Sequence, residues 1–262
     1  MDPLSQLTPG PTHNGVTLRT AGQGTPVFVV PGMEGTGESC FHLAHPVLRD
    51  LDTYQFVLVD YGAEVHDSFD ALVDTLTTLI GGAAGDHCVF WGQSFGNLLA
   101  AAVAEGSNLP VEQLLLVSPF TRLPNWKVAL GVTVLSLTPP PLYRATARLG
   151  GRYLFGPAGD QPDHPFFDSL RRSPSRDVAR RTNWLRKRSF ASVFSGLSAP
   201  TRVWLGAEDR LVDLDAQKAY FSGLAGRRDH VELTMIPESG HVVLPSTAVA
   251  STREQLRSAL RS

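Results

Sequence analysis

The sequence predicts an α/β protein built on a mostly parallel central sheet covered by helices on both faces, and three observations carry that prediction. Short, almost wholly apolar runs at Pro26–Val30, Gln55–Val59, His87–Trp91 and Gln113–Val117 have the length of buried strands. Between them lie stretches with helical periodicity. The clearest is Ser68–Ile80, where Phe69, Leu72, Val73, Leu76, Leu79 and Ile80 fall on one stripe. Strands apolar on both faces, alternating with helices, are what a parallel sheet buried on both sides requires. With 262 residues, 42% hydrophobic and 18% charged, the chain can form one large domain or a core with an inserted subdomain, and global disorder is excluded.

In chain order, Pro3–Pro11 reads as a loose arm and Val16–Arg19 as a short edge strand, with a turn at Gly22 and Gly24. The strand Pro26–Val30 ends abruptly at Pro31-Gly32-Met33-Glu34-Gly35-Thr36-Gly37, a loop whose glycines allow backbone N–H groups to face a ligand. It lacks the lysine of a P-loop and the G-x-G-x-x-G order, which argues against phosphate binding. Phe41–Leu51 is expected to be helical despite Pro46. After Gln113–Val117 the rhythm changes. Phe120–Ala199 shows no strand alternation and reads as a helical insertion, with helices expected at Trp126–Leu137, Leu142–Arg152, Phe166–Leu170 and Ser175–Arg188. From Thr201 the strand–helix alternation resumes with TRVWL, a helix over Ala216–Leu224, VELTMI, and a final helix over Thr247–Leu260.

Charge divides the chain at the same places. Residues 1–118 hold two basic and thirteen acidic side chains; residues 119–200 hold thirteen basic and four acidic; residues 201–262 hold eight of each. The net charge of −2 therefore conceals a basic insertion within an acidic and neutral frame. The N-terminus shows no basic and apolar leader pattern, and Trp126–Leu137, the longest apolar stretch, is far short of the roughly 20 residues of a membrane span. Cys40 and Cys88 have no metal-ligand spacing and make no disulfide framework. A cytoplasmic protein with no membrane span is the expectation.

The most informative stretch is His87–Ala101, HCVFWGQSFGNLLAA. An apolar strand breaks at Gly92, presents Ser94 between glycines, and continues as a helix-favouring series. Gly92-Gln93-Ser94-Phe95-Gly96 fits G-x-S-x-G, in which a tight strand-to-helix turn thrusts a serine hydroxyl clear of the backbone and the glycines avoid collisions. An ordinary turn whose serine caps a helix is the alternative reading of these five residues alone.

Two later segments decide between them. Trp204-Leu205-Gly206-Ala207-Glu208-Asp209-Arg210-Leu211-Val212 places acids after a strand, and Ile236-Pro237-Glu238-Ser239-Gly240-His241 places a histidine after the last strand. Together with the serine turn, they resemble the α/β-hydrolase superfamily, whose nucleophile, acid and histidine follow in that chain order. The resemblance covers Thr17–Ser118 and Thr201–Arg261. It implies an α/β-hydrolase fold with a core of residues 1–118 and 201–262, and a helical cap at 119–200. By the same resemblance Ser94 is the nucleophile, Asp209 the acid, with Glu208 and Asp213 as rivals, and His241 the base. The backbone N–H groups of Met33 and Phe95 form the oxyanion hole. Pro31-Gly32 replaces the His-Gly common in relatives. Glu34 sets a carboxylate beside a hole meant for negative charge, so it must point away or be paired.

The implied activity is cleavage of a carboxylic ester or thioester through an acyl-enzyme, with no cofactor and no metal. Serine at the nucleophile position argues against dehalogenases and epoxide hydrolases, which place aspartate there. An acyltransferase using the same triad, or a non-catalytic ligand-binding protein of the same fold, is the alternative. In the insertion, the apolar residues between Trp126 and Leu137 read as part of an acyl-binding wall or as the cap's own core. Arg171, Arg172, Arg176, Arg180, Arg181, Arg186, Lys187 and Arg188 fit an acidic or phosphate-bearing partner, such as an acyl-carrier protein or coenzyme A thioester. A solvated helix whose charge pairs with the acidic core is the competing account. The insertion lacks the interleaved aromatics of single-stranded nucleic-acid binding.

Overall fold

The computed structural model describes residues 3–48, 54–62, 66–139, 142, 155–156, 166–167 and 173–243. The expected helices over Leu142–Arg152 and Thr247–Leu260, and most of Phe166–Leu170, lie outside the described residues. Eight strands form one sheet: β1 (Thr8–His13), β2 (Val16–Gly22), β3 (Thr25–Val30), β4 (Tyr54–Tyr61), β5 (Cys88–Gln93), β6 (Val111–Val117), β7 (Thr201–Gly206) and β8 (Val231–Ile236). Their spatial order is β1-β2-β4-β3-β5-β6-β7-β8; β2 is antiparallel to both neighbours and every pairing from β4 to β8 is parallel.

Period-two alternation divides each strand between two cores. Phe28, Val30, Phe90, Leu114, Leu116, Val203 and Leu205 face one side, under α2 (Phe69–Gly81), α3 (Phe95–Gly106) and α7 (Leu214–Ala225). Val27, Val29, Val89, Trp91, Leu115, Val117 and Trp204 face the other, against Cys40, Phe41, Leu43 and Ala44 of α1 (Gly37–Leu48). The register pairs Val30 with Gly92, Gln93 with Val117, and Gly206 with Ile236. The loops after β3, β5, β7 and β8 therefore emerge together at the carboxyl edge of the sheet, where open α/β sheets place their ligands.

Three expectations needed correction at element ends. The N-terminal arm is ordered as a 3₁₀ turn (Pro3–Gln6) followed by β1, whose pairing shifts register between Pro9 and Thr12. Prolines are tolerated there because an outer strand has N–H groups with no ladder partner to lose. Val16–Arg19 is consequently part of an interior strand, with Arg19 clamped by Asp60 (Nε–Oδ2 2.6 Å). Helix α1 starts at Gly37, four residues earlier than its apolar pattern suggests, because Asp60 Oδ1 accepts the Gly37 N–H at 2.8 Å.

Between β6 and β7 run α4 (Asn125–Leu137), α5 (Ser175–Trp184) and the short α6 (Ala191–Ser195). Helix α4 packs on α5 but buries only Val128 fully; Trp126, Leu130, Val134 and Leu137 are 64, 56, 49 and 76% exposed. Among the described residues these four side chains are therefore not buried in a core of the segment. Among the described residues, no helix is long and apolar enough to cross a membrane.

Candidate active site

The turn between β5 and α3 consists of Ser94 alone, held at φ 54° and ψ −119°. Close approach explains its neighbours. A Cβ on Gly96 would lie 2.2 Å from the Val30 carbonyl oxygen, and one on Gly92 would lie 2.6 Å from Asn97 Oδ1. Asn97, fully buried, fastens this turn to β6. Its Oδ1 accepts the Val117 N–H (3.1 Å), and its Nδ2 donates to the carbonyls of Val117 (2.7 Å) and Ser94 (3.0 Å).

The loops after β7 and β8 are pressed together, since a Cβ on Gly206 would fall 2.0 Å from the Gly240 carbonyl oxygen. The Glu208 N–H donates to the Ser239 carbonyl at 2.8 Å, and the Gln93 side-chain amide donates to the His241 carbonyl at 3.2 Å. This packing brings three predicted residues into one line. His241 Nδ1 lies 2.7 Å from Asp209 Oδ2, and His241 Nε2 lies 2.7 Å from Ser94 Oγ. With Asp209 charged, the Nδ1 proton is donated to the carboxylate, leaving Nε2 to accept the serine proton. Asp209 also accepts the N–H groups of Leu211 (2.9 Å) and Val212 (3.3 Å). Burial opposes its charge, but the facing His241 and these hydrogen bonds outweigh it and hold the carboxyl below its ordinary value. The rival acids are placed elsewhere: Glu208 is exposed, and Asp213 caps α7 by accepting the Ala216 N–H at 3.2 Å.

Met33 and Phe95 flank the turn, and among the described residues neither N–H has a protein acceptor. Glu34 is paired, as its position required. One carboxyl oxygen accepts the Gly32 N–H (3.1 Å) and the Ser39 hydroxyl (2.5 Å), and burial raises its pKa despite these bonds and the nearby Arg181.

A family model described as the alpha/beta hydrolase family matches residues 18–252. The chain belongs to that family. Solved structures agree on the fold. An esterase from Thermogutta terrifontis is 18% identical, with TM-score 0.72 over 94% of this chain and 93% of its own. An esterase from Rhodococcus sp. is 17% identical, with TM-score 0.73 over 98% and 99%. A bromoperoxidase from Bacillus anthracis is 13% identical, with TM-score 0.75 over 94% and 95%. A search of curated protein sequences finds no significant match.

In this α/β hydrolase the basic residues singled out in the sequence have separate fates. Arg181 is only 2% exposed, so it offers no charge to an outside partner. Arg188 pairs with Asp70 (2.6 Å) and lies over the rings of Phe69 and Phe190. Arg176, Arg180, Arg186 and Lys187 are exposed, and Arg171 and Arg172 lie outside the described residues. Sequence reasoning missed Asn97, Gln93 and Tyr61. Asn97 carried a signal, as the one amide in an otherwise apolar helix start, FGNLLAA.

Proposed function

We propose that this hydrolase is a serine enzyme that cleaves a carboxylic ester or thioester through an acyl-enzyme. The observation that carries the reading is the continuous Ser94–His241–Asp209 chain, two hydrogen bonds of 2.7 Å each. In this mechanism Ser94 Oγ attacks the acyl carbon while its proton passes to His241 Nε2. Negative charge develops on the former carbonyl oxygen and is met by the N–H groups of Met33 and Phe95, with the positive end of α3 behind the serine. The carbon–leaving-group bond breaks as His241 returns the proton to the departing alkoxide or thiolate. A water then gives its proton to His241 and its oxygen to the acyl carbon, releasing the acid and restoring Ser94. Asp209 keeps the imidazole oriented and balances its transient charge. No step draws on a metal or an organic cofactor.

Residues 119–200 serve as the helical cap of this site, a role supported by the contacts of α5 with the loop after β3. Exposed Arg176, Arg186 and Lys187 give the cap a face for an acidic carrier, so an acyl-carrier protein or coenzyme A thioester is the substrate form it fits. The two free, buried cysteines are consistent with a cytoplasmic setting.

A fluorophosphonate probe, with p-nitrophenyl esters and acyl thioesters of increasing length, tests the assignment. Labelling of the parent that disappears in Ser94→Ala, together with turnover, supports it; an unlabelled parent overturns it in favour of a binding role. Acyl groups recovered on an added alcohol or amine would mark an acyltransferase instead. Carrier recognition predicts salt-sensitive thioester turnover that weakens when Arg176, Arg186 and Lys187 become alanine; unchanged turnover removes that part of the proposal.

A further inference from the structure

We propose that Arg181 of α5 is a positioning residue of the oxyanion hole, so that residues 119–200 contribute to the rate of the reaction and not only to the choice of substrate. The inference deepens the serine-hydrolase reading and rests on it. It starts from the loop after β3, in which four successive carbonyls are each held by a donor. Those of Pro31 and Gly32 share the Tyr61 hydroxyl (2.5 Å each), and Gly32 also accepts the Gly35 N–H (3.1 Å). The Met33 carbonyl accepts from Arg181 Nη1 (2.5 Å) and the Glu34 carbonyl from Ser173 Oγ (3.0 Å).

In a planar trans peptide the C=O and N–H point in opposite directions. Holding the Gly32 carbonyl on Tyr61 therefore turns the Met33 N–H to the other side of the loop. Arg181 secures this arrangement from two directions. Besides the Met33 carbonyl, its Nη2 donates to the Tyr61 carbonyl (2.8 Å), and its guanidinium lies 4.9 Å from the Tyr61 ring centroid. The neighbouring Thr182 hydroxyl reaches Met33 Sδ at 3.4 Å.

Two further features show the loop shaped around this cation. Gly35 adopts φ +73°, and a Cβ there would sit 2.7 Å from Arg181 Nη1. A buried guanidinium is costly unless it is fully bonded, and this one spends its donors on backbone carbonyls of the catalytic edge. Asp177 and Glu34 attract its charge, while its Nη1 and Nη2 donate to the loop after β3 and to the end of β4.

The test compares the parent with Arg181→Ala, Arg181→Lys, Tyr61→Phe and the control Arg227→Ala, an exposed residue past the end of α7. It measures kcat and KM on the best ester, affinity for an alkylboronic acid that forms a tetrahedral adduct on Ser94, thermal stability, and amide exchange of the segment 31–36. Arg181→Ala is expected to lower kcat roughly 10- to 100-fold, less than outright loss of a hole donor, with KM within about twofold because ground-state binding does not use the hole. Boronate affinity should fall in parallel, and exchange over 31–36 should quicken. Arg181→Lys should recover part of kcat, since one ammonium can serve one of the two carbonyls; Tyr61→Phe should resemble Arg181→Ala, and Arg227→Ala the parent. An Arg181→Ala protein that melts earlier yet keeps its kcat at a permissive temperature overturns the proposal. If Arg181→Ala does not fold, parental kcat in both Arg181→Lys and Tyr61→Phe overturns it. A parent inactive on every ester and unreactive with the boronate would end the serine-hydrolase reading instead, and unchanged exchange in the Arg181 variants would still refute the positioning role.

Discussion

The carboxyl edge of the sheet and the segment between β6 and β7 use the same kinds of side chain in opposite ways. At the edge, polar groups are buried and bonded: Asn97, Gln93, Asp209 and His241 are each at most 5% exposed and each is tied to a neighbouring strand or loop. In the intervening segment, apolar groups are exposed, with Trp126, Leu130, Val134 and Leu137 in one stripe along α4. The sheet fixes the edge from several strands at once, whereas among the described residues α4 packs mainly on α5. Positions held by many strands can carry reacting groups to within tenths of an ångström, while a helix supported on one side can change its outer residues without disturbing the chemistry. Arg181 is the exception that links the two regions.

Substitutions sharpen this contrast when taken from the largest effect downward. Ser94→Ala should reduce kcat by about 10⁶ while leaving the melting temperature at or above that of the parent, a result read by a stopped assay and calorimetry together. Asp209→Asn should cost roughly 10⁴ in kcat. It should also alter the acid limb of stability. Because the folded carboxyl titrates below its ordinary 3.8, it stabilises the fold above that pH and loses this contribution as pH falls below it. Acid titration followed by circular dichroism should therefore show a shallower decline for the Asn variant in that range. Asn97→Ala leaves the Val117 N–H without its acceptor and the Val117 carbonyl with only the Ser94 N–H, and should destabilise by about 1–3 kcal/mol, seen as a lower urea midpoint. At the other extreme, Trp126→Ser and Leu130→Ser should each stay within about 0.5 kcal/mol and leave kcat unchanged. A loss of several kcal/mol there would break the contrast by showing that the α4 face is covered.

The contrast also explains what could be read from sequence. Strands such as PVFVV and QLLLV are buried on both faces, so their composition alone is diagnostic, and Ser94, Asp209 and His241 sit in short motifs at strand ends whose geometry is local. The 3₁₀ turn and β1 were hidden because prolines at an outer strand cost little, while the same residues elsewhere would forbid a strand. Arg181 was hidden for a different reason. In sequence it is one of eight basic residues clustered between Arg171 and Arg188, and only the approach of α5 to Tyr61, 120 positions away, distinguishes it from its exposed neighbours. Motif order favours Asp209 over Asp213, and in the fold Asp209 faces His241 while Asp213 caps α7.

The left-handed conformation of Ser94 has a consequence for how this enzyme can be improved. A side chain held in that region of backbone space costs on the order of 1–3 kcal/mol, a burden a glycine would not bear. Ser94→Gly should therefore melt higher than Ser94→Ala, and the comparison of these two variants isolates the backbone contribution. Stability and the proposed turnover pull in opposite directions at this single residue: the substitution that best relaxes the chain also removes the hydroxyl proposed as its nucleophile, so thermal hardening of the protein is to be sought at positions remote from the elbow.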